Sequence, residues 1–144
     1  MKRVISILLV LVILSTVFAI FAAGFANNGY TYTTSGSTAT LTAWSGSSGS
    51  VTIPATVKNG STTYNVTAIG PYAFAGKANI SSVLFESGSN LTTIGEGAFS
   101  TNRSCTSLTI PASVETIEAR AFNSWVALTS LTFASGSNLS EIGN

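Results

Sequence analysis

Three Ala-Phe pairs, ending at Phe74, Phe99 and Phe122, each close five residues after an isoleucine, so the chain is written in copies about two dozen residues long. Counted from Ile69, Ile94 and Ile117, apolar residues return at offsets −3, 0, +5, +11, +14 and +16. The first copy supplies Val66, Ile69, Phe74, Ile80, Val83 and Phe85. The second supplies Leu91, Ile94, Phe99, Cys105, Leu108 and Ile110, and the third Val114, Ile117, Phe122, Leu128, Leu131 and Phe133. A fourth begins with Leu139 and Ile142. One copy is too short to enclose a core of its own, so the copies must stack into a repeat solenoid whose windings bury each other's faces. Such a scaffold works by presenting a surface and not by housing chemistry.

The origins at 69, 94, 117 and 142 are 25, 23 and 25 residues apart, and the difference sits wholly in one linker. It is long at 86–90 and 134–138, where both copies read Ser-Gly-Ser-Asn at their ends, and short at 111–113, Pro-Ala-Ser. Length variation confined to one place marks a surface turn. The +14 and +16 residues alternate with polar ones, as in Leu131-Thr132-Phe133, the period of a short strand with one face inward. Equivalent strands of successive windings are expected to form a continuous parallel ladder about 4.8 Å apart. Gly70, Gly95 and Gly143 follow the isoleucines and suggest a left-handed backbone position; Glu118 stands there in the third copy, so that turn is either strained or built differently. The Ala-Phe segment fits one helical turn or a second short strand equally well.

Upstream, Val51, Ile53 and Pro54 repeat the spacing of Leu108, Ile110 and Pro111, so a partial winding precedes the first full one. Between Val57 and Val66 an Asn59-Gly60 pair with strand-like flanks signals a hairpin. Alternation across 30–44 points to β structure capping the first winding. The chain stops inside a repeat at Asn144, which reads as a truncated solenoid. The domain reading is thus residues 1–26 as a targeting segment, 27–50 as an N-terminal β cap and 51–144 as the solenoid.

Lys2 and Arg3 precede an apolar run from Val4 to Ala26, and the small residues Gly24 and Ala26 suit a signal peptidase that would leave Asn27 first. The run also approaches the ~20 residues that span a bilayer, so an uncleaved anchor is the other reading, and the only route to a membrane. Under both, the remaining chain faces out of the cytoplasm, secreted or at the cell surface. Past Ala26, four basic residues meet five glutamates, which leaves no basic footprint for nucleic acid. Ser and Thr make up 39 of those 118 residues and supply the solubility that charge does not. A single cysteine rules out an internal disulfide framework.

The segments 66–74 (VTAIGPYAF), 91–99 (LTTIGEGAF) and 107–114 (SLTIPASV) resemble the leucine-rich repeats of the BspA-like surface-protein family. The resemblance covers roughly residues 51–144 and implies an exported, curved leucine-rich solenoid with short parallel strands. It further implies an adhesin-like role, binding matrix proteins or other cells. The family's glycine-cysteine pair after the Ala-Phe is matched only by Ala75-Gly76, while Cys105 falls at a core slot.

No histidine and no aspartate occur, which excludes His-based acid-base catalysis, Ser-His-Asp and Cys-His nucleophiles, EF-hand loops and His-bearing zinc sites. No catalytic residue, metal or cofactor is therefore expected. Glu96, Glu115 and Glu118 are read as solvated turn residues, with a carbohydrate-active β-helix as the enzymatic alternative. Cys105, at the slot of Ile80 and Leu128, is read as core. Trp125 at +8 is either a ligand-contact aromatic or a cover for the edge of the core. Thr109, Ser130 and Thr132 on the strands would supply hydrogen bonds to a ligand, an extracellular protein or glycoconjugate of a host matrix or of other cells. A passive stalk carrying a further domain is the alternative. Six Asn-x-Ser/Thr sequons begin at Asn59, Asn65, Asn79, Asn90, Asn102 and Asn138.

Overall fold

The structure, a computed structural model, describes residues 24–144. Among these the chain winds into a β-solenoid of about four turns without helices. β1 (Phe25–Asn27), β2 (Tyr30–Ser35) and β3 (Thr38–Trp44) form an antiparallel cap. β4 (Ser48–Ile53) opens the first winding, and β5 (Thr56–Asn59) and β6 (Thr62–Ile69) make the hairpin expected at Asn59-Gly60. From there each winding carries two short strands. The isoleucines lie on β6, β8 (Thr93–Ile94), β10 (Thr116–Ile117) and β12 (Glu141–Ile142); the +14 and +16 residues lie on β7 (Asn79–Phe85), β9 (Ser107–Ile110) and β11 (Ser130–Phe133).

The isoleucine strands, which the sequence pattern did not single out, are the continuous side. Leu41 of the cap pairs with Ile69, Ile69 with Ile94, Ile94 with Ile117 and Ile117 with Ile142, all in parallel register. Leu41 thus occupies the isoleucine slot of a winding, and the cap joins the solenoid through one sheet and one core. The phenylalanines form a second column. Phe74 and Phe99 stack with centroids 4.7 Å apart, Phe99 and Phe122 at 5.7 Å, and Trp44 closes the cap end 5.9 Å from Phe74. The repeat slots are buried through the first two windings apart from a half-buried Phe85. In the third, Leu131 and Phe133 rise to 46% and 41% exposure.

The Ala-Phe segment is neither a helical turn nor a strand. It is a run of successive turns whose N–H groups alternate between the same winding and the next. The amides of Ala73, Ala75 and Lys77 donate to carbonyls three residues back, while those of Tyr72, Phe74 and Gly76 donate to Glu96, Ala98 and Ser100. The second winding repeats the pattern onto Ala119, Ala121 and Asn123. In the first two windings the amides of this turn run thus find partners without regular secondary structure.

The glycines after the isoleucines have a different cause from the one expected. Gly70, Gly95 and Gly143 are absent from the left-handed region. A Cβ on Gly95 would lie 2.7 Å from the carbonyl oxygen of Ile69, and one on Gly143 would lie 2.4 Å from the nitrogen of Ala119, so close approach of windings selects glycine. Glu118 keeps the same amide bond, to Ile94 O, and folds its carboxylate back to accept the N–H of Glu96 at 2.8 Å. The left-handed residues fall instead at +3 (Tyr72, Gly97, Arg120) and +7 (Gly76, Thr101, Ser124), two columns of the turn run.

Most of the apolar N-terminal run, residues 1–23, lies outside the described residues, and with it both the signal-peptide and the anchor readings. Its end does not. Phe25 is half-buried, pairs with Tyr32 across β1 and β2, and stacks on it at 5.4 Å, so the expected cut after Ala26 would remove two of the three residues of β1. Among the described residues no helix is long and apolar enough to cross a membrane.

Candidate functional site

The strand side departs from the continuous ladder expected of it. β4 pairs with β7, and β9 pairs with β11, but β7 and β9 do not pair, so two two-stranded sheets face each other across a break. The cause is local. At +17 the N–H of Glu86 donates to Ile53 O at 3.0 Å and that of Ala134 to Ile110 O at 2.9 Å. In the winding between, +17 is Pro111, which has no N–H to offer Phe85 O. The windings are instead fastened just before the break. Asn102, buried at +8, donates from Nδ2 to Ile80 O at 3.0 Å and accepts at Oδ1 from the amides of Ser104 and Cys105. Buried and fully engaged, its side chain leaves that sequon no room for a glycan.

The break opens a groove of about 670 Å³. Its walls are β7 and β9, and its rim alternates with linker length, the long segments at Gly88-Ser89 and Ala134–Asn138 standing either side of the short Pro111–Ser113. Leu84, 55% exposed, gives it an apolar wall, while Ser82, Ser107 and Thr109 add hydroxyls. Glu86 is the one ionisable residue of the lining, and its Oε2 accepts the Ala55 amide at 2.9 Å. Beside the unpaired strand edges of β7 and β9, such a surface offers hydrogen bonds next to an apolar wall, the composition of a recognition site.

Of the residues singled out from sequence, Thr109 lines the groove and hydrogen-bonds through its hydroxyl to that of Thr132, 2.9 Å away on β11. Ser130 is exposed beside them, in register with Ser107. Trp125 does not join this face. Only 9% exposed, it packs edge-on against Phe99 and Phe122 and its indole N–H donates to Phe99 O, so the cover-of-the-core reading describes its place. Sequence reasoning missed Leu84, Ser82 and Glu86, because the groove they line exists only where a ladder bond fails. The signal was Pro111 at a donor position.

Other candidates resolve into structure. Cys105 is buried, its thiol donating to Ser107 O at 3.2 Å. The Glu96 carboxylate accepts the Tyr72 hydroxyl at 2.7 Å, and that bond holds the Tyr72 pKa above its usual value. Among the described residues no group of three or more His, Cys, Asp or Glu side chains could hold a metal ion.

Residues 49–144 match the family model described as BspA type leucine-rich repeat region, in six copies. No curated protein matches the chain. Solved structures do. A leucine-rich repeat protein of T. pallidum superposes with a TM-score of 0.69 at 17% identity, over 83% of this chain and 64% of that one. The pneumococcal vaccine antigen PcpA gives 0.60 at 18%, over 85% and 46%. A leucine-rich repeat protein from Bacteroides capillosus gives 0.55 at 27%, over 78% of this chain and 99% of that one. The chain thus spans about half of the pneumococcal antigen and under two thirds of the treponemal protein.

Proposed function

The chain belongs to the BspA-type leucine-rich repeat family, and on that premise we propose that it is an exported binding module, displayed at the cell surface or secreted, that recognises a protein or glycoconjugate through its strand side. The observation that carries this reading is the groove between β7 and β9. A passive spacer gains nothing from an interrupted ladder, whereas a binding surface gains a concave place with hydroxyl and main-chain groups beside an apolar wall. The family's solved relatives include a vaccine antigen, which fits a surface-displayed role. The absence of histidine and aspartate from the sequence supports a binder over an enzyme.

Thr109, Ser130 and Thr132 supply the hydroxyl face, with Leu84 as the apolar contact in place of Trp125. Partners are extracellular proteins or glycoconjugates of a matrix or of neighbouring cells. Solid-phase binding of the folded chain to matrix glycoproteins and to whole cells tests this. Saturable binding, weakened at least tenfold by Leu84→Glu, is expected. No saturable binding to either target, or binding indifferent to Leu84, overturns the reading.

A further inference from the structure

A second cavity, of about 430 Å³, lies on the other side of Glu86, where the cap meets β4 and β5. Its volume falls within the ~300–1,000 Å³ of small-molecule sites. Tyr30, Tyr32, Asn28, Thr56, Lys58 and Glu86 are among its lining residues. Most are committed only in part. The Tyr30 hydroxyl donates to Thr52 O at 2.8 Å, the Asn27 amide to Lys58 O at 3.0 Å, and one Glu86 oxygen accepts the Ala55 amide, leaving the other free.

Tyr32 is the telling residue. It is 1% exposed, and its hydroxyl has no hydrogen-bond partner among the described residues. No fully enclosed side-chain oxygen or nitrogen among those residues lacks a partner, so the Tyr32 hydroxyl must open onto this cavity. That hydroxyl is therefore left to hydrogen-bond with whatever occupies the cavity. Burial holds the Tyr32 hydroxyl protonated far into the alkaline range, so it is a neutral donor at any ordinary pH.

We propose that this cavity binds one sugar residue of a carbohydrate. The lining joins phenolic and aliphatic hydroxyls, amides and one carboxylate oxygen, groups that pair with the alternating donors and acceptors of sugar hydroxyls. Pro54 and the half-buried Tyr30 ring give the C–H face of a pyranose an apolar wall. One cation, Lys58, is balanced by one anion, Glu86, so neither phosphate nor an ammonium group is favoured on charge. The inference rests on the cap and not on the groove, and either reading can fail without the other.

Saturation-transfer NMR on the full chain, with glucose, galactose, mannose and N-acetylglucosamine as free probes, tests it. At least one sugar is expected to receive transfer. Tyr32→Phe removes one oxygen and keeps the packed ring, and Glu86→Gln keeps the shape and the bond to Ala55; each is expected to weaken that binding at least fivefold while far-UV circular dichroism stays unchanged. Pro111→Ala, remote from the cavity, is expected to leave it intact. Transfer to none of the four sugars overturns the proposal. So does binding that survives Tyr32→Phe or that follows Pro111 instead.

Discussion

The two strand-bearing sides of the solenoid face the same task and meet it differently. On the isoleucine side the ladder runs unbroken from Leu41 of the cap to Ile142, and every step is sealed by an amide one residue on, Gly70 to Leu41, Gly95 to Ile69, Glu118 to Ile94 and Gly143 to Ile117. On the other side the equivalent sealing amide stands at +17, and the ladder is divided in two where that position is Pro111. The core beneath does not divide. Val83 and Leu108 are both buried although their strands do not pair with each other. Core packing and the bonds of the isoleucine and Ala-Phe sides therefore hold the windings in register, and pairing on the third side decides only whether the surface there is closed or open. That separation lets a solenoid carry a groove without losing its stack.

If packing holds the register, the heaviest damage comes from the middle of the aromatic column. Phe99 touches Phe74, Phe122 and Trp125, and Phe99→Ala is expected to lower stability by about 3–5 kcal/mol, read from denaturant midpoints. A loss under about 1 kcal/mol would mean that the column is not what keeps the windings together. Next comes the continuous side itself. Gly95→Ala drives a methyl group against the backbone of the winding before it and is expected to cost about 1–3 kcal/mol. Gly88→Ala meets no neighbour within 4 Å and carries only its left-handed strain, so it serves as the control for close approach.

A smaller effect distinguishes the cap from the windings it seals. Burial raises the pKa values of Tyr30 and Tyr32 above the ordinary tyrosine value of about 10, so folding favours their protonated forms. Their contribution is whole below pH 10 and is lost as the pH climbs through the higher folded values. Denaturant midpoints are expected to stay level from neutral pH to about 10 and to fall above it, less steeply in Tyr32→Phe. A midpoint that rises in alkali contradicts the burial assigned to these rings.

What the residues disclosed before any coordinates, and what they withheld, follows the same division. The core was legible because burial leaves a periodic trace. Ile69, Ile94 and Ile117 align, Phe74, Phe99 and Phe122 stack, and the hairpin at Asn59-Gly60 forms. Main-chain geometry leaves a fainter one. Glycine after isoleucine reported a contact between windings, while the left-handed columns at +3 and +7 fell on Tyr72, Arg120, Thr101 and Ser124, residue types that do not announce such a backbone. Of the candidate site, the sequence placed Thr109, Ser130 and Thr132 on strands, where all three are exposed. Trp125 shows the limit, since an aromatic at an otherwise polar slot gives no sign of which way it faces. The groove was hidden because it follows from an absent donor, and a pattern of side chains does not display absent N–H groups.

Pro111→Ala addresses that absent donor directly and has the smallest expected effect on stability. It restores an N–H at +17, placed to reach Phe85 O as those of Glu86 and Ala134 reach Ile53 O and Ile110 O. The added hydrogen bond is worth about 0.5–1.5 kcal/mol, while losing the proline frees the unfolded chain by about 0.4–1 kcal/mol. The two nearly cancel, so denaturation is a poor reporter here. Hydrogen exchange is a good one. If the proline holds the ladder open, the new amide at position 111 becomes protected, the amides of β9 exchange more slowly, and binding at the groove weakens as β7 and β9 draw together. If position 111 exchanges like an exposed turn, the separation belongs instead to the Asn102 clamp, and Asn102→Ala becomes the substitution that should move β9.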